Sequence, residues 1–296
     1  MMRSFLLLIT ISLSTQSIWA QTSRRVENIA IFKNRVDHPI EIEVTERDDK
    51  VFFYAKNRSL YTYNVTVLFK NVINLRPAVS EKEFVVPHGS IRLIEFYKYN
   101  RDKGFQYQYS YKFKIAEPKE LPDKKFPYLV PIMTETLTPF ISQSNEIYEN
   151  SFASSIGDTV YCMRKGLVMA VPNMFHGLDR ISDQKSIEVR HEDGTIMVYK
   201  NISQELGQVK YGKYVYPGQP IAIIDQPDYI QTVLYQYTGE GKFKSLGINY
   251  NIDGNEPQPF SKKLLGKKPA FSEAIIAKEL TKGELRKLKK GTLIQN

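Results

Sequence analysis

Alternation of apolar and polar residues is the strongest pattern in this chain. Over residues 105–115, Phe105, Tyr107, Tyr109, Tyr111, Phe113 and Ile115 fall on one face, and Gln106, Gln108, Ser110, Lys112 and Lys114 fall on the other. A period of two is that of a strand with one face in a core and the other in water. Residues 40–44 and 63–67 alternate in the same way, with Asn, Asp, Pro and Gly between the runs. Such spacing predicts an antiparallel β-sandwich over residues 21–116. The aromatic row could stack on sugars, but a packed sheet face is the expected role.

Pro118, Pro122, Pro127 and Pro131 then follow among charged residues. Proline fixes φ and lacks an N–H, so residues 117–131 read as a linker or extended strap, with Tyr128 to Pro131 leading into a second domain. That domain, residues 132–258, is marked by turns: Gly157-Asp158, Lys165-Gly166, Glu192-Asp193-Gly194 and Pro217-Gly218. The Asp193-Gly194 turn separates the β-rich runs 187–191 and 196–199 and predicts a hairpin. Helical periodicity is confined to the basic tail, residues 259–296. Ser272 there can cap one helix, and Thr281-Lys282-Gly283-Glu284 has capping-box spacing for another. The predicted fold class is mainly β, a sandwich followed by a compact antiparallel domain and short C-terminal helices.

Residues 1–20 stand apart from this pattern. A basic start at Arg3, an apolar run of about ten residues and Ala20 at its end read as a secretory signal, since the run is too short to span a bilayer. No later stretch is apolar enough to cross a membrane as a helix. The expectation is a periplasmic or secreted protein that begins near Gln21. A formal net charge of +9 suits anionic envelope polymers better than nucleic acid in such a compartment. Cys162 is the only cysteine, so no intramolecular disulfide can form. Its place in an alternating run marks it as a core thiol.

The order of motifs GDTVY, KGLV, IEVRHEDGTIMVYKN and VKYGKYVYPGQPIAIID across residues 157–225 resembles the lysostaphin-like (LytM-type) zinc endopeptidases, which cut peptide cross-links in peptidoglycan. With the preceding sandwich, the chain is similar to two-domain exported forms of the Bacteroidota type. Active members hold zinc through a His-x-x-x-Asp pair and the last His of a His-x-His strand. Three such ligands leave an open position whose bound water is acidic enough to attack an amide. The resemblance places the first pair at Ile147 and Ser151, a further histidine at Asn201, and the His-x-His ends at Thr232 and Leu234. None of the five is a histidine or an aspartate. His38, His88 and His176 are expected in loops, and His191 matches a strand histidine that is not a zinc ligand in the family.

The resemblance with these replacements implies a pseudoenzyme with no cofactor and no catalytic residue. It would bind peptidoglycan or regulate a cell-wall hydrolase through a retained groove, with Tyr199 and Tyr235 as stacking surfaces and Asn201 as a hydrogen-bonding amide. Two alternatives stay open at this point: an active zinc endopeptidase with displaced ligands such as His176, and a purely structural envelope protein. The run 212–222 also resembles the turns of lipoyl and biotinyl carrier domains. The tip such carriers modify falls on Glu192-Asp193-Gly194, which has no lysine, so the likeness is one of turn geometry.

Overall fold

The computed structural model describes residues 24–28, 38–118, 122–134, 137–141, 149–174, 179–183, 185–225, 228–239, 242–252, 256–269 and 271–290. The expected signal segment, Ile147 and His176 lie outside them.

The chain is mainly β, as its periodicity predicts. Its first part holds β1 (Arg24–Asn28), β2 (Ile40–Arg47), β3 (Lys50–Asn57), β4 (Tyr63–Ile73), β5 (Leu75–Arg76), β6 (Glu81–Val86), β7 (Gly89–Lys98) and β8 (Gln106–Ile115). They form two four-stranded sheets, ordered β1-β8-β4-β6 and β2-β3-β7-β5. All pairings are antiparallel except that of β1 with β8, which is parallel. In β8 Tyr107, Tyr109, Tyr111, Phe113 and Ile115 are all buried and the residues between them are not. From Tyr107 onward the aromatic row is therefore the packed inner face and offers no rings to sugars, while Phe105 at its start is half-buried. Phe53 sits at its centre, edge-on to Phe69, Phe96, Tyr107 and Tyr109 at 5.1–5.7 Å between ring centroids, a geometry that adds quadrupolar attraction to area burial.

The second part holds β9 (Pro127–Tyr128), β10 (Pro139–Ile141), β11 (Glu149–Ser154), β12 (Thr159–Tyr161), β13 (Gly166–Ala170), β14 (Ser186–Arg190), β15 (Ile196–Lys200), β16 (Tyr214–Val215), β17 (Pro220–Ile223), β18 (Asp228–Gly239), β19 (Lys242–Leu246), β20 (Asn249–Tyr250) and β21 (Gln258–Pro259). The main sheet runs β10-β11-β18-β15-β14-β13-β16, with β19 also on β18, and every pair in it is antiparallel. The predicted hairpin joins β14 to β15. Gly194 at its tip has φ +79°, and a Cβ there would also meet Pro118 Cγ at 2.5 Å, so both backbone and space demand glycine. Phe126, Tyr128, Leu129 and Val130 are buried, so the proline-rich strap becomes core before it ends. The tail forms α1 (Glu273–Ala277) and α2 (Lys282–Lys289). The Thr281–Glu284 capping box starts α2 as its spacing predicts, whereas Ser272 sits at the N-cap of α1 without a side-chain bond.

The main sheet is apolar on both faces because it has two partners. Met197, Tyr199, Ile230 and Leu234 join the core of the second part, while Met169, Ile196, Val198 and Tyr237 pack into the core of the sandwich. Asp179 fastens the two parts with polar bonds. Its buried carboxylate accepts from Ser59 Oγ, from Tyr211 Oη and from the N–H of Leu60 at 2.8 Å. A buried carboxylate with this many donors is well compensated.

Candidate functional site

Cross-strand register decides which of the expected site residues meet. Asn150 of β11, Thr232 of β18 and Tyr199 of β15 lie in one row, and Ser151, Gln231 and Lys200 lie in the next. Adjacent rows point to opposite faces of a sheet. Ser151 is therefore on the opposite face from Thr232 and Leu234, and Asn150 is the residue that stands beside Thr232. This corrects the expectation that Ser151, Thr232 and Leu234 converge on one site.

Thr232 and Leu234 are buried in the core of the second part. Thr232 Oγ1 lies 3.1 Å from Tyr250 Oη, itself fully buried, and burial pushes that phenol well above its ordinary range. The expected groove also needs correction. Tyr199 is wholly buried, and its hydroxyl accepts the N–H of Met163 at 2.8 Å. Tyr235 is half-buried on the other face of the sheet, opposite Ile196. Asn201 is exposed with φ 63°, a left-handed conformation that Asn tolerates, and its Nδ2 donates to the carbonyl of Tyr229 at 3.1 Å. Tyr199 is thus a core aromatic, and the three residues share no groove.

The donor set at these positions does not fit zinc. Hydroxyls, an amide and a hydrocarbon replace the imidazoles and carboxylate that a three-ligand site needs, and among the described residues no group of three His, Cys, Asp or Glu is placed to hold a metal. Cys162 is the core thiol its sequence context predicts. Its Sγ donates to the carbonyl of Arg164 at 3.0 Å, and burial pushes the thiol up to about 12, so it is no nucleophile at neutral pH.

A charged cluster that sequence reasoning missed lies at the turn before β13. Gly166 leaves no room for a side chain, because a Cβ there would meet Val189 Cγ1 at 2.5 Å and the carbonyl of Arg190 at 2.6 Å. This tight approach sets Arg164 and Lys165 against the β14–β15 turn. Arg164, only 5% exposed, donates to Glu279 at 2.5 and 2.9 Å, to Asp193 at 2.7 Å and to Tyr128 Oη at 3.1 Å, and lies 3.8 Å above the Phe126 ring. Lys165 pairs with Glu284 at 3.0 Å. The fork geometry of arginine suits two carboxylates and a ring at once.

His191 stands beside this cluster. Its Nδ1 lies 2.8 Å from the carbonyl of Lys165, which fixes the proton there and leaves Nε2 as a buried acceptor without a partner among the described residues. Burial, reinforced by Arg164, pushes its pKa down to about 3, so the ring is neutral. Burial alone would raise the Asp193 carboxyl, but Arg164 and Thr195 hold it below its usual value. Adjacent basic residues ahead of Gly166 and the acids Glu279 and Glu284 in the tail were the available signals, but nothing local pairs them.

No family model and no curated protein matches this chain. Solved structures to which it is similar include Csd3 of Helicobacter pylori in its hexagonal crystal, at 12% identity over 88% of this chain and 77% of that one, with a TM-score of 0.31. The catalytic domain of lysostaphin from Staphylococcus simulans is 16% identical over 40% of this chain and 88% of that one, with a TM-score of 0.26. A putative peptidase M23 from Pseudomonas aeruginosa is 13% identical over 69% and 80%, with a TM-score of 0.29. These names include the family that the sequence motifs resemble. At such identities and scores they assign no role to any residue of this chain.

Proposed function

We propose that this chain is a non-catalytic envelope protein, exported to the periplasm or secreted, that binds peptidoglycan or a hydrolase acting on it. The observation that supports this reading is the content of the strand positions. Ser151, where the resemblance calls for a carboxylate, and Thr232, where it calls for an imidazole, carry hydroxyls on opposite faces of the sheet, and Thr232 is closed off by Tyr250 and the surrounding core. A site of amide and hydroxyl groups can persist in a scaffold but cannot supply three zinc ligands. The basic balance of the chain favours an anionic polymer such as the cell wall.

Co-sedimentation of the purified protein with insoluble peptidoglycan in the presence of a metal chelator tests the reading. Saturable binding that survives the chelator is expected. Failure to sediment, alone and with a cell-wall hydrolase added, would remove both forms of the proposal.

A further inference from the structure

A cavity of about 480 Å³ lies between the sandwich and the main sheet of the second part, within the range of about 300–1,000 Å³ that small-ligand sites occupy. Two cross-strand rows form its facing walls. Lys114, Asn64 and Val85 are direct ladder partners on β8, β4 and β6. Tyr214, Leu167 and Arg190 are direct partners on β16, β13 and β14. Ladder partners project from the same face of a sheet, so each wall presents one cation beside apolar or amide groups.

Three features of these walls point to a ligand. Val85 is 64% exposed and Tyr214 is 51% exposed, although both are large apolar side chains. Among the described residues neither Lys114 nor Arg190 is paired with a carboxylate, and Arg190 is held over the Tyr61 ring at 5.4 Å. Asn64 Oδ1, a buried acceptor without a partner among the described residues, belongs to one of these rows, and Tyr61 Oη, likewise unpartnered among them, belongs to a further residue of the lining. Such groups in native proteins are matched by water or by a bound molecule. Glu117 and Glu192, both exposed, complete the lining.

We propose that this cavity binds a short peptide with a free carboxyl terminus. The carboxylate is taken by Arg190 and Lys114, an amide N–H meets the Asn64 acceptor, its small apolar side chains cover Val85, Leu167 and Tyr214, and its amino end is offered Glu117 and Glu192. Arginine and carboxylate form the stronger, charge-assisted class of hydrogen bond, and a site that expects a charged terminus discriminates sharply against its neutral analogue. The cavity is separate from the strand positions of Thr232 and Leu234, so it stands even if peptidoglycan is bound elsewhere or not at all.

Calorimetric titration of the full chain with trialanine and with trialanine amide tests this. Saturable binding of the acid, at least about tenfold weaker for the amide, is expected, with a several-fold loss in Lys114→Gln and in Arg190→Gln. Because Arg190 packs on Tyr61, the exposed Lys114→Gln, checked for an unchanged thermal transition, keeps the test independent of folding. No saturation, equal binding of acid and amide, or wild-type affinity in the double variant would overturn the proposal. Loss of peptidoglycan sedimentation with retained trialanine binding would leave the cavity assignment in place and remove only the preceding one.

Discussion

Replacing His191 by Asn should flatten the acid side of this protein's stability curve. In the unfolded chain the imidazole takes up a proton near its ordinary value of 6.5, and in the folded chain only near about 3. Between those values the unfolded state binds more protons, so stability is full above the upper value and is lost as pH falls toward the lower one. From about pH 7.5 to about pH 5 the linkage relation gives a loss of about 2 kcal/mol from this ring alone. No solvent discount applies, since the ring is wholly enclosed. The neighbours do not titrate in that window: Arg164 stays charged, Asp193 is held below its usual range, and Tyr128 is pushed up to about 12. Asn keeps a donor near the Nδ1 position, so the bond to the Lys165 carbonyl can persist while the titration is removed. Urea unfolding at the two pH values, extrapolated to water, measures the difference. An equal pH dependence in His191→Asn and the wild type would refute the reasoning, as would an imidazole resonance assigned to His191 that titrates near pH 6.5 in the folded protein.

Arg164→Ala should destabilise the fold by about 3–5 kcal/mol, because it leaves Glu279 and Asp193 without their buried cation. It should also release α1 and α2, which hydrogen exchange would register as lost protection in the tail before the sheet is affected. Tyr199→Ala should lower stability by about 3–5 kcal/mol, since a fully buried ring and the partner of the Met163 N–H are both removed. Tyr235→Ala, at a half-buried position, should cost clearly less, and equal losses in denaturant unfolding would contradict the facial assignment.

What the sequence disclosed was local. The row from Tyr107 to Ile115, the Asp193-Gly194 hairpin and the capping box of Thr281 and Glu284 each lie within a dozen residues, and their spacing alone dictates the geometry. The face on which a site residue falls is not local. Ser151 and Thr232 meet or part according to the register of β11 on β18, and one residue of slip moves a side chain through the sheet. Tyr199 illustrates the same limit, since an aromatic beside a strand end reads alike whether it lines a groove or fills a core. The Arg164 cluster joins residues 115 apart in sequence. The peptide cavity needs the sandwich and the second sheet together, so no single stretch of the chain announces it.

The most direct test of the central claim is to incubate the purified protein with cross-linked peptidoglycan and added zinc and to analyse the soluble and sedimented fractions together. The proposed function predicts protein in the pellet and no release of cross-link fragments, with zinc and with chelator alike. Release of soluble cross-link fragments that depends on zinc and stops with the chelator would contradict it.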